Sequence, residues 1–344
     1  MPITKTTERV DINKRRVING EDADVVQLHP IKHKFAWEAY NVGNANHWLP
    51  TEISMQLDIE QWKSQETLSP DERKAFETVL GFFTTADSIA ANNIVLAFYR
   101  HITSPECRLY LLRQGYEEAV HTHAYQYIVQ SLGMDESRIF NMYREVDSIY
   151  NKDAFILSFN EGIFDPSFKT GTFANDQKFL ENMAVFSLVL EGIFFYSSFA
   201  VMFGFLRQNK LVGSAEQIQY IMRDESMHLN FGANMINAIK EEQPELWTKD
   251  FQSHIVELVR KAAVLEYTFA QEVFPRGIFG MNAEGFRQYI EHIADRRLAR
   301  VGLPAQFDVP NPFPWMSEAI DLSKEKNFFE TRVTEYQVGG ALNW

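Results

Sequence analysis

Apolar side chains recur every three to four positions through five long stretches of the chain. This spacing places them on one face of an α-helix. The five stretches cover residues 69–101, 104–132, 178–207, 214–242 and 245–273. A sixth helix is predicted over residues 283–301. The pattern therefore predicts an all-α protein.

Residues that favour helix ends support these limits. Ser69 and Ser104 each precede a proline and can cap a helix N-terminus, because a serine oxygen accepts a hydrogen bond from a backbone N–H group that is free there. Ser214 and Gln217 have the spacing of a capping box. Gly133 can end the second helix, since glycine readily adopts a left-handed conformation.

Two segments interrupt the helical pattern. Residues 150–177 are rich in Asn, Asp, Gly, Pro and Phe, so we expect an irregular connection and a helical bundle with one long crossover. After residue 302, four prolines break regular structure. We therefore divide the chain into a polar N-terminal arm (1–30), a helical domain (31–310) and a flexible C-terminal tail (311–344).

Composition narrows the range of functions. The formal net charge of -13 argues against a nucleic-acid-binding protein, because no excess of basic side chains is available to neutralise phosphates. The single cysteine, Cys107, excludes an internal disulfide and a cysteine-built metal site, and it suits a reducing compartment. The N-terminus lacks the apolar core of a secretory signal, and the most apolar run, residues 192–206, is shorter than a membrane span. We expect a cytoplasmic protein without a membrane segment.

Two Glu-x-x-His pairs are candidate metal ligands. Glu118 and His121 lie in the second predicted helix, and Glu225 and His228 lie in the fourth. Residues three apart share one side of a helix, so each pair can offer a carboxylate oxygen and an imidazole nitrogen to one metal ion. A single pair is a weak signal, because solvated acidic helices also contain this spacing.

Two lone carboxylates, Glu191 and Asp87, complete the pattern. Glu191 lies in the apolar stretch MAVFSLVLEGIFFYSSF, where a buried carboxylate is costly unless it is protonated, hydrogen-bonded or bound to metal. Asp87 lies in GFFTTADSIAANN, where neighbouring hydroxyl groups could instead keep the helix face polar. Four carboxylates and two histidines on four helices form the di-iron or di-manganese site of ferritin-like bundles. We therefore predict two iron or manganese ions, with positions open for O₂.

Tyr125 is a candidate for oxidation by such a site. It follows His121 by four residues and so lies one turn away on the same helix face. An ordinary core tyrosine would show the same spacing. A dry pocket around it could be formed by four phenylalanines of the third predicted helix, which any buried helix could also contain: Phe194, Phe195, Phe199 and Phe203.

Several segments together resemble the small subunit of class I ribonucleotide reductase. The similarity runs from about Asn19 to Trp344 and rests on NHWLPTEI, FFTTADSIAANNI, RQGYEEAVHTHAY, LEGIFFYSSF, RDESMHLNFG, NPFPWM and NFFETRVTEYQVGGALNW. The resemblance implies a ferritin-like four-helix core with additional helices. It also implies that Asp87, Glu118 and His121 bind one metal, that Glu191, Glu225 and His228 bind the other, and that the two glutamates of the Glu-x-x-His pairs bridge them.

The resemblance further implies a radical relay. O₂ activated at the metals would oxidise Tyr125, and electrons would pass along Trp48, Asp224 and His121. Tyr336 in the tail, with Glu330 near it, would carry the oxidising equivalent to a large subunit that reduces ribonucleoside diphosphates. The small subunit would be a homodimer whose tail docks on the large one. The absence of a phosphate-binding glycine motif agrees with this division of labour.

The sequence leaves open the identity of the metal ions and two alternative functions. The sequence as a whole resembles a branch of this family that has phenylalanine at the radical position, glutamate as the first metal ligand and a mixed manganese-iron centre. Here Tyr125 and Asp87 depart from that branch, which favours di-iron, with manganese or a mixed centre as the alternative. A stand-alone di-metal oxidase or oxygenase, or an iron-storage protein, would need the ligands but not the aromatic tail.

Overall fold

The computed structural model describes residues 9, 11–21 and 26–316, and the chain folds there mainly as packed helices. The all-α prediction is confirmed. Within these residues the helices are α1 Lys34–Ala45, α2 Gln56–Lys63, α3 Pro70–His101, α4 Pro105–Leu132, α5 Glu136–Glu145, α6 Asp147–Ser158, α7 Phe173–Arg207, α8 Val212–Glu242, α9 Lys249–Val273 and α10 Ala283–Arg300.

Four of these helices enclose the centre of the molecule. Helix α3 packs against α4 and α7, and α8 packs against the same two helices, so the four form a closed ring. Helices α1, α9 and α10 cover the ring from outside. By length and composition alone α3 and α7 could cross a membrane, but their apolar windows are 67% and 100% buried within the fold. The prediction that residues 192–206 belong to a core helix is confirmed.

Most predicted helix ends agree with the structure. Ser69 and Glu72 form a capping box at α3, with hydrogen bonds of 3.3 Å and 2.8 Å. Ser104 accepts from the backbone N–H of Cys107 at 3.3 Å at the start of α4. Gly133 ends α4 in the left-handed conformation at φ 66°. Local sequence therefore defines α3 and α4 well.

The predicted capping box at Ser214 is wrong. Helix α8 already begins at Val212, and the carboxylate of Asp58 caps it from α2. Asp58 accepts from the backbone N–H of Gly213 at 2.9 Å, and from both the backbone N–H and the hydroxyl of Ser214 at 2.7 Å. The serine hydroxyl is thus a donor to another helix and does not cap its own.

The irregular connection is shorter than predicted. Helix α6 extends to Ser158, and α7 already begins at Phe173 because Thr172 caps it through the backbone N–H of Asn175. Only residues 159–172 remain irregular in the predicted crossover. Helix α9 begins at Lys249, after a cap at Thr248, and not at residue 245. The short helices α1, α2, α5 and α6 were not predicted.

Part of the predicted N-terminal arm is anchored to the bundle. Val17 and Ile18 are fully buried. Arg15 Nη1 lies 3.4 Å from Glu106 Oε1 at the start of α4, and the same oxygen accepts from the backbone N–H of Lys32 at 2.7 Å. The backbone N–H of Val17 donates to Glu242 Oε2 at 2.8 Å, at the end of α8. The arm therefore ties the ends of two core helices together.

Two of the core helices contain π-helical turns. One is Ile94–Phe98 near the end of α3, and the other is Val185–Phe194 in the middle of α7. The second segment is buried throughout and carries Glu191. Such widened turns are rare and occur frequently at functional sites.

Candidate metal centre

Six carboxylate and imidazole side chains of the core helices converge in the middle of the bundle. They are Asp87 of α3, Glu118 and His121 of α4, Glu191 of α7, and Glu225 and His228 of α8. Each is no more than 1% exposed. Their ligand atoms form two groups, and within each group these atoms lie within 4.8 Å of one another. Glu118 and Glu225 belong to both groups, so the geometry has two adjacent cation positions with two shared carboxylates.

The two histidine rings have the same orientation relative to this cluster. His121 Nδ1 is 3.1 Å from Glu225 Oε1 and 3.7 Å from Glu118 Oε2. His228 Nδ1 is 3.3 Å from the nearest oxygen of each of these glutamates. The two Nε2 atoms point away from the cluster, toward Asp224 and Glu117. One nitrogen of each ring is therefore directed at the cluster, and the other is held from outside.

The buried donor atoms fit a pair of cations. Within the described residues, both oxygens of Asp87 and of Glu118, Nδ1 of His121 and one oxygen each of Glu191 and Glu225 lack a hydrogen-bond partner. Leaving a buried polar atom unpaired costs about 1 to 3 kcal/mol. Hard carboxylate oxygens with one imidazole for each position suit iron or manganese, and two divalent ions would balance four carboxylates. The cluster therefore has the donor set expected of a di-metal site.

Without metal, the cluster compensates its charge with protons. Burial raises the pKa of Asp87 to about 8, and it raises the pKa of Glu191 well above the usual range. Although burial opposes it, the nearby imidazole rings of His121 and His228 lower the pKa of Glu118 to about 2. The surrounding carboxylates outweigh burial and hold the pKa of both histidines well above normal. Metal binding must therefore release protons.

The outward-facing nitrogen of His121 leads to a buried indole. Asp224 Oδ2 accepts from Trp48 Nε1 at 2.8 Å and lies 3.4 Å from His121 Nε2. The other oxygen of Asp224 accepts from Arg223 at 3.0 Å and 3.2 Å. Trp48 is 2% exposed and stacks on Tyr220 with ring centroids 5.2 Å apart. The structure thus brings Trp48, Asp224 and His121 into one chain of contacts.

Two further side chains contact Glu191 and His228, the ligands that belong only to the second cation position. Neither side chain was assigned a role from the sequence. Gln114 Nε2 donates to Glu191 Oε1 at 2.8 Å. Glu117 Oε2 lies 2.8 Å from His228 Nε2, and its other oxygen accepts from Arg113 at 3.0 Å. Gln114 precedes Glu118 by one helical turn, and Glu117 is its direct neighbour. Their position on the ligand-bearing helix was the available signal.

Tyr125 is fully buried on the same helix as Glu118 and His121. Its ring stacks on Phe83 at 5.3 Å with an interplanar angle of 6°. Phe195 and Phe199 pack against Phe83, with ring centroids 6.0 Å and 5.4 Å from it. The tyrosine hydroxyl makes no hydrogen bond within the described residues. Burial, followed by the nearby Asp87 carboxylate, raises the pKa of Tyr125 well above its usual value.

The predicted aromatic pocket is only partly as expected. Phe83, which was not predicted, is the ring in direct contact with Tyr125, and Phe194 packs instead against Phe82 with centroids 6.4 Å apart. Tyr336 and Glu330 lie outside the described residues, as does nearly all of the predicted tail.

The helical ring and its shared carboxylates define the class of protein. A bundle with one acid from each of two helices and a Glu-x-x-His pair from each of the other two is a ferritin-like di-metal carboxylate protein. A family model described as the small chain of ribonucleotide reductase matches residues 25–312. The chain belongs to this family.

Individual relatives agree with this assignment. The chain is 53% identical over 337 residues to the ribonucleoside-diphosphate reductase subunit beta of Chlamydia pneumoniae, covering 98% of this chain and 97% of the relative. It is 29% identical to a small chain from Plasmodium falciparum, over 99% of this chain and 93% of the relative. The ribonucleotide reductase R2 subunit from Clostridium botulinum has a TM-score of 0.80 at 26% identity, covering 89% of this chain and 94% of that one.

A dimanganese(II) structure from Streptococcus sanguinis also shares the fold. Its TM-score is 0.69 at 20% identity, over 88% of this chain and 99% of that chain. The family model and the 53% identical relative confirm the family and the enzyme class that were predicted from the sequence.

Proposed function

We propose that this chain holds two metal ions through the six clustered ligands and stores an oxidising equivalent as a radical on Tyr125. That equivalent starts the reduction of ribonucleoside diphosphates to 2'-deoxyribonucleotides in a large subunit. The observation that carries the proposal is the buried cluster of unpaired donor atoms one helical turn from a buried tyrosine.

The ligands divide between two ions. Asp87 and His121 belong to one position, Glu191 and His228 to the other, and Glu118 and Glu225 to both. With O₂, the bound metal pair would supply the oxidising power for a one-electron step. We propose iron in both positions, because Asp87 and Tyr125 match the tyrosyl-radical branch of the family. Manganese or a mixed pair is the alternative that the same donors allow.

Tyr125 is suited to lose an electron and a proton together. Burial raises the pKa of its hydroxyl, so a charged phenolate is unfavourable at this position. The stacked ring of Phe83 and the aromatic side chains behind it exclude water from the phenol. A neutral tyrosyl radical in this pocket would be shielded from reductants in solution.

Trp48 is linked to the ligand cluster through Asp224. Asp224 Oδ2 contacts both the indole N–H and the outer nitrogen of His121, while Arg223 fixes the other carboxylate oxygen. The carboxylate can therefore hold the proton of either partner during electron transfer. We propose this chain of contacts as the electron path, with Tyr336 continuing it to the large subunit.

The remaining parts of the proposal concern assembly and location. We propose a cytoplasmic homodimer that binds the large subunit through residues 311–344. Phe328, Leu342 and Trp344 would provide apolar anchors, and Tyr336 would carry the oxidising equivalent.

Electron paramagnetic resonance with metal analysis tests the core of the proposal. The chain, stripped of metal and reconstituted with Fe(II) and O₂, is expected to hold two ions and to show a tyrosyl signal that Tyr125→Phe abolishes. A signal that persists in Tyr125→Phe would place the radical elsewhere.

The tail is tested separately in turnover with the large subunit. Truncation after Asn327 should keep the radical and abolish turnover. Tyr336→Phe should keep binding and lose turnover, because only the hydroxyl needed for proton-coupled oxidation is removed. Full nucleotide reduction by Tyr336→Phe would contradict the proposed relay.

A further inference from the structure

Glu117 forms a second buried carboxylate–histidine pair at the di-metal site. Its side chain is 1% exposed, although it lies beside Glu118 on a helix where an acidic residue is usually solvated. Glu117 Oε2 is 2.8 Å from His228 Nε2, and Oε1 accepts from Arg113 Nε at 3.0 Å. Both carboxylate oxygens are therefore used, one for the ligand ring and one for a guanidinium.

The arrangement repeats the one around the other histidine. Asp224 contacts the outer nitrogen of His121 with one oxygen and an arginine with the other. The difference is that Asp224 also accepts from the indole of Trp48 at 2.8 Å. Glu117 therefore has the geometry of a support for the ring without the hydrogen bond to a tryptophan.

Helix α1 fixes Glu117 in place from outside. A Cβ atom on Gly43 would lie 3.0 Å from Glu117 Oε1 and 3.2 Å from Arg113 Cγ, so a glycine at this position allows the helix to approach the pair closely. Arg113 is in turn placed over the ring of Tyr116 at 5.3 Å. The carboxylate has little freedom to leave His228.

We propose that Glu117 is a positioning residue for His228, and that it strengthens metal binding at the position formed by Glu118, Glu191, Glu225 and His228. By accepting from Nε2, Glu117 keeps Nδ1 free and directed at the metal, and its charge makes the imidazole a stronger donor. This inference rests on the proposed di-metal function. Loss of such a support typically weakens metal binding by about 10- to 100-fold.

A Mn(II) titration of the full-length, metal-free chain tests the proposal, because free Mn(II) is counted directly by electron paramagnetic resonance. Glu117→Gln is expected to lower the affinity for one of the two ions by about 10- to 100-fold and to leave the affinity for the other unchanged. Glu136→Gln, an exposed change on α5, is the matched control and should bind as wild type. His228→Ala should itself weaken binding of that same ion, and adding Glu117→Gln should weaken it no further, because Glu117 acts through the imidazole ring.

Wild-type affinity for both ions in Glu117→Gln overturns the proposal, and so does an equal loss in the His228→Ala background. If Glu117→Gln does not fold, Arg113→Gln tests the same contact. Arg113→Gln should lower the affinity for the same ion by a smaller factor. Unchanged affinity for both ions overturns the proposal. A wild-type chain that binds fewer than two Mn(II) ions overturns the proposed di-metal function itself, which distinguishes the two failures.

Discussion

Replacing Glu191 with glutamine changes the charge of the metal cluster while keeping its volume. Glu191 is fully buried, and its Oε1 accepts from Gln114, a bond that the amide oxygen of a glutamine can also accept. Glu191 belongs to only one of the two ligand groups, whereas Glu118 and Glu225 belong to both. Glu191→Gln should therefore lose one metal ion, keep the ion near Asp87 and keep the metal-free fold.

The loss of stability caused by losing one ion follows from the linkage between metal binding and folding. At a free metal concentration 100 times Kd, each bound ion adds about 2.7 kcal/mol to the stability of the folded chain. Losing one ion should remove about that amount. In a folded chain of this size this corresponds to roughly 4 °C in the unfolding midpoint.

Metal analysis and thermal unfolding with and without Mn(II) measure both parts of this prediction. Asp153→Asn is the control, because Asp153 is also a buried carboxylate, with a pKa raised to about 7 by burial, but lies outside both ligand groups. It should leave the metal content unchanged. Two ions in Glu191→Gln, or the full metal-induced shift of the midpoint, would refute the assignment of Glu191 as a ligand.

Three further predictions concern the surroundings of the site. Phe83→Ala removes the ring stacked on Tyr125 and should lower the free energy of unfolding by about 3 to 5 kcal/mol in urea denaturation. It should also shorten the life of the radical signal, and an unchanged lifetime would contradict the shielding role. Burial raises the pKa of Asp87 from 3.8 to about 8, so the metal-free fold holds this proton and should lose stability as the pH rises from about 4 to 8. Mn(II) binding should tighten over the same interval, because the ion displaces the proton; titrations at pH 6 and pH 8 measure it. Glu106→Gln removes the buried charge that pairs with Arg15 and should lower the free energy of unfolding by about 3 kcal/mol or more, with faster proteolysis of the N-terminal arm.

Helix starts were predictable where the cap is local in sequence. Ser69 and Ser104 accept from backbone groups three residues ahead, so a short window of sequence contains the whole interaction. The start of α8 was not predictable in this way, because Asp58, which caps it, lies 155 positions before Gly213. The short helix α5 also has a local cap at Asp135, which accepts from Arg138 at 3.1 Å, and its buried residues Ile139 and Met142 share one face, so this helix was predictable from sequence and was missed.

The residues of the site also differ in how far local sequence predicts them. The six candidate ligands could be named from two repeated spacings and from charges in apolar stretches, and the structure brings all six together. Glu117 and Gln114 gave no comparable signal, since a polar side chain on a polar helix face is ordinary. Their burial depends on how α4 packs against α1, α7 and α8. The spacing of apolar residues in one sequence does not reveal that packing. The ring stacked on Tyr125 was missed for the same reason, because Phe83 comes from a different helix.

The π-helical segment Val185–Phe194 makes the middle of α7 intolerant of changes in chain length. Each residue of an α-helix turns the chain by about 100°, so deleting one residue just before Glu191 would rotate it away from the other ligands or displace the buried residues preceding it. In the connection from α6 to α7, residues 164–172 are exposed or half-buried and lie outside any helix, so they lack this constraint. Natural length variants should therefore accumulate in that connection. A designer who transplants this centre into another bundle would have to move the ten-residue segment whole.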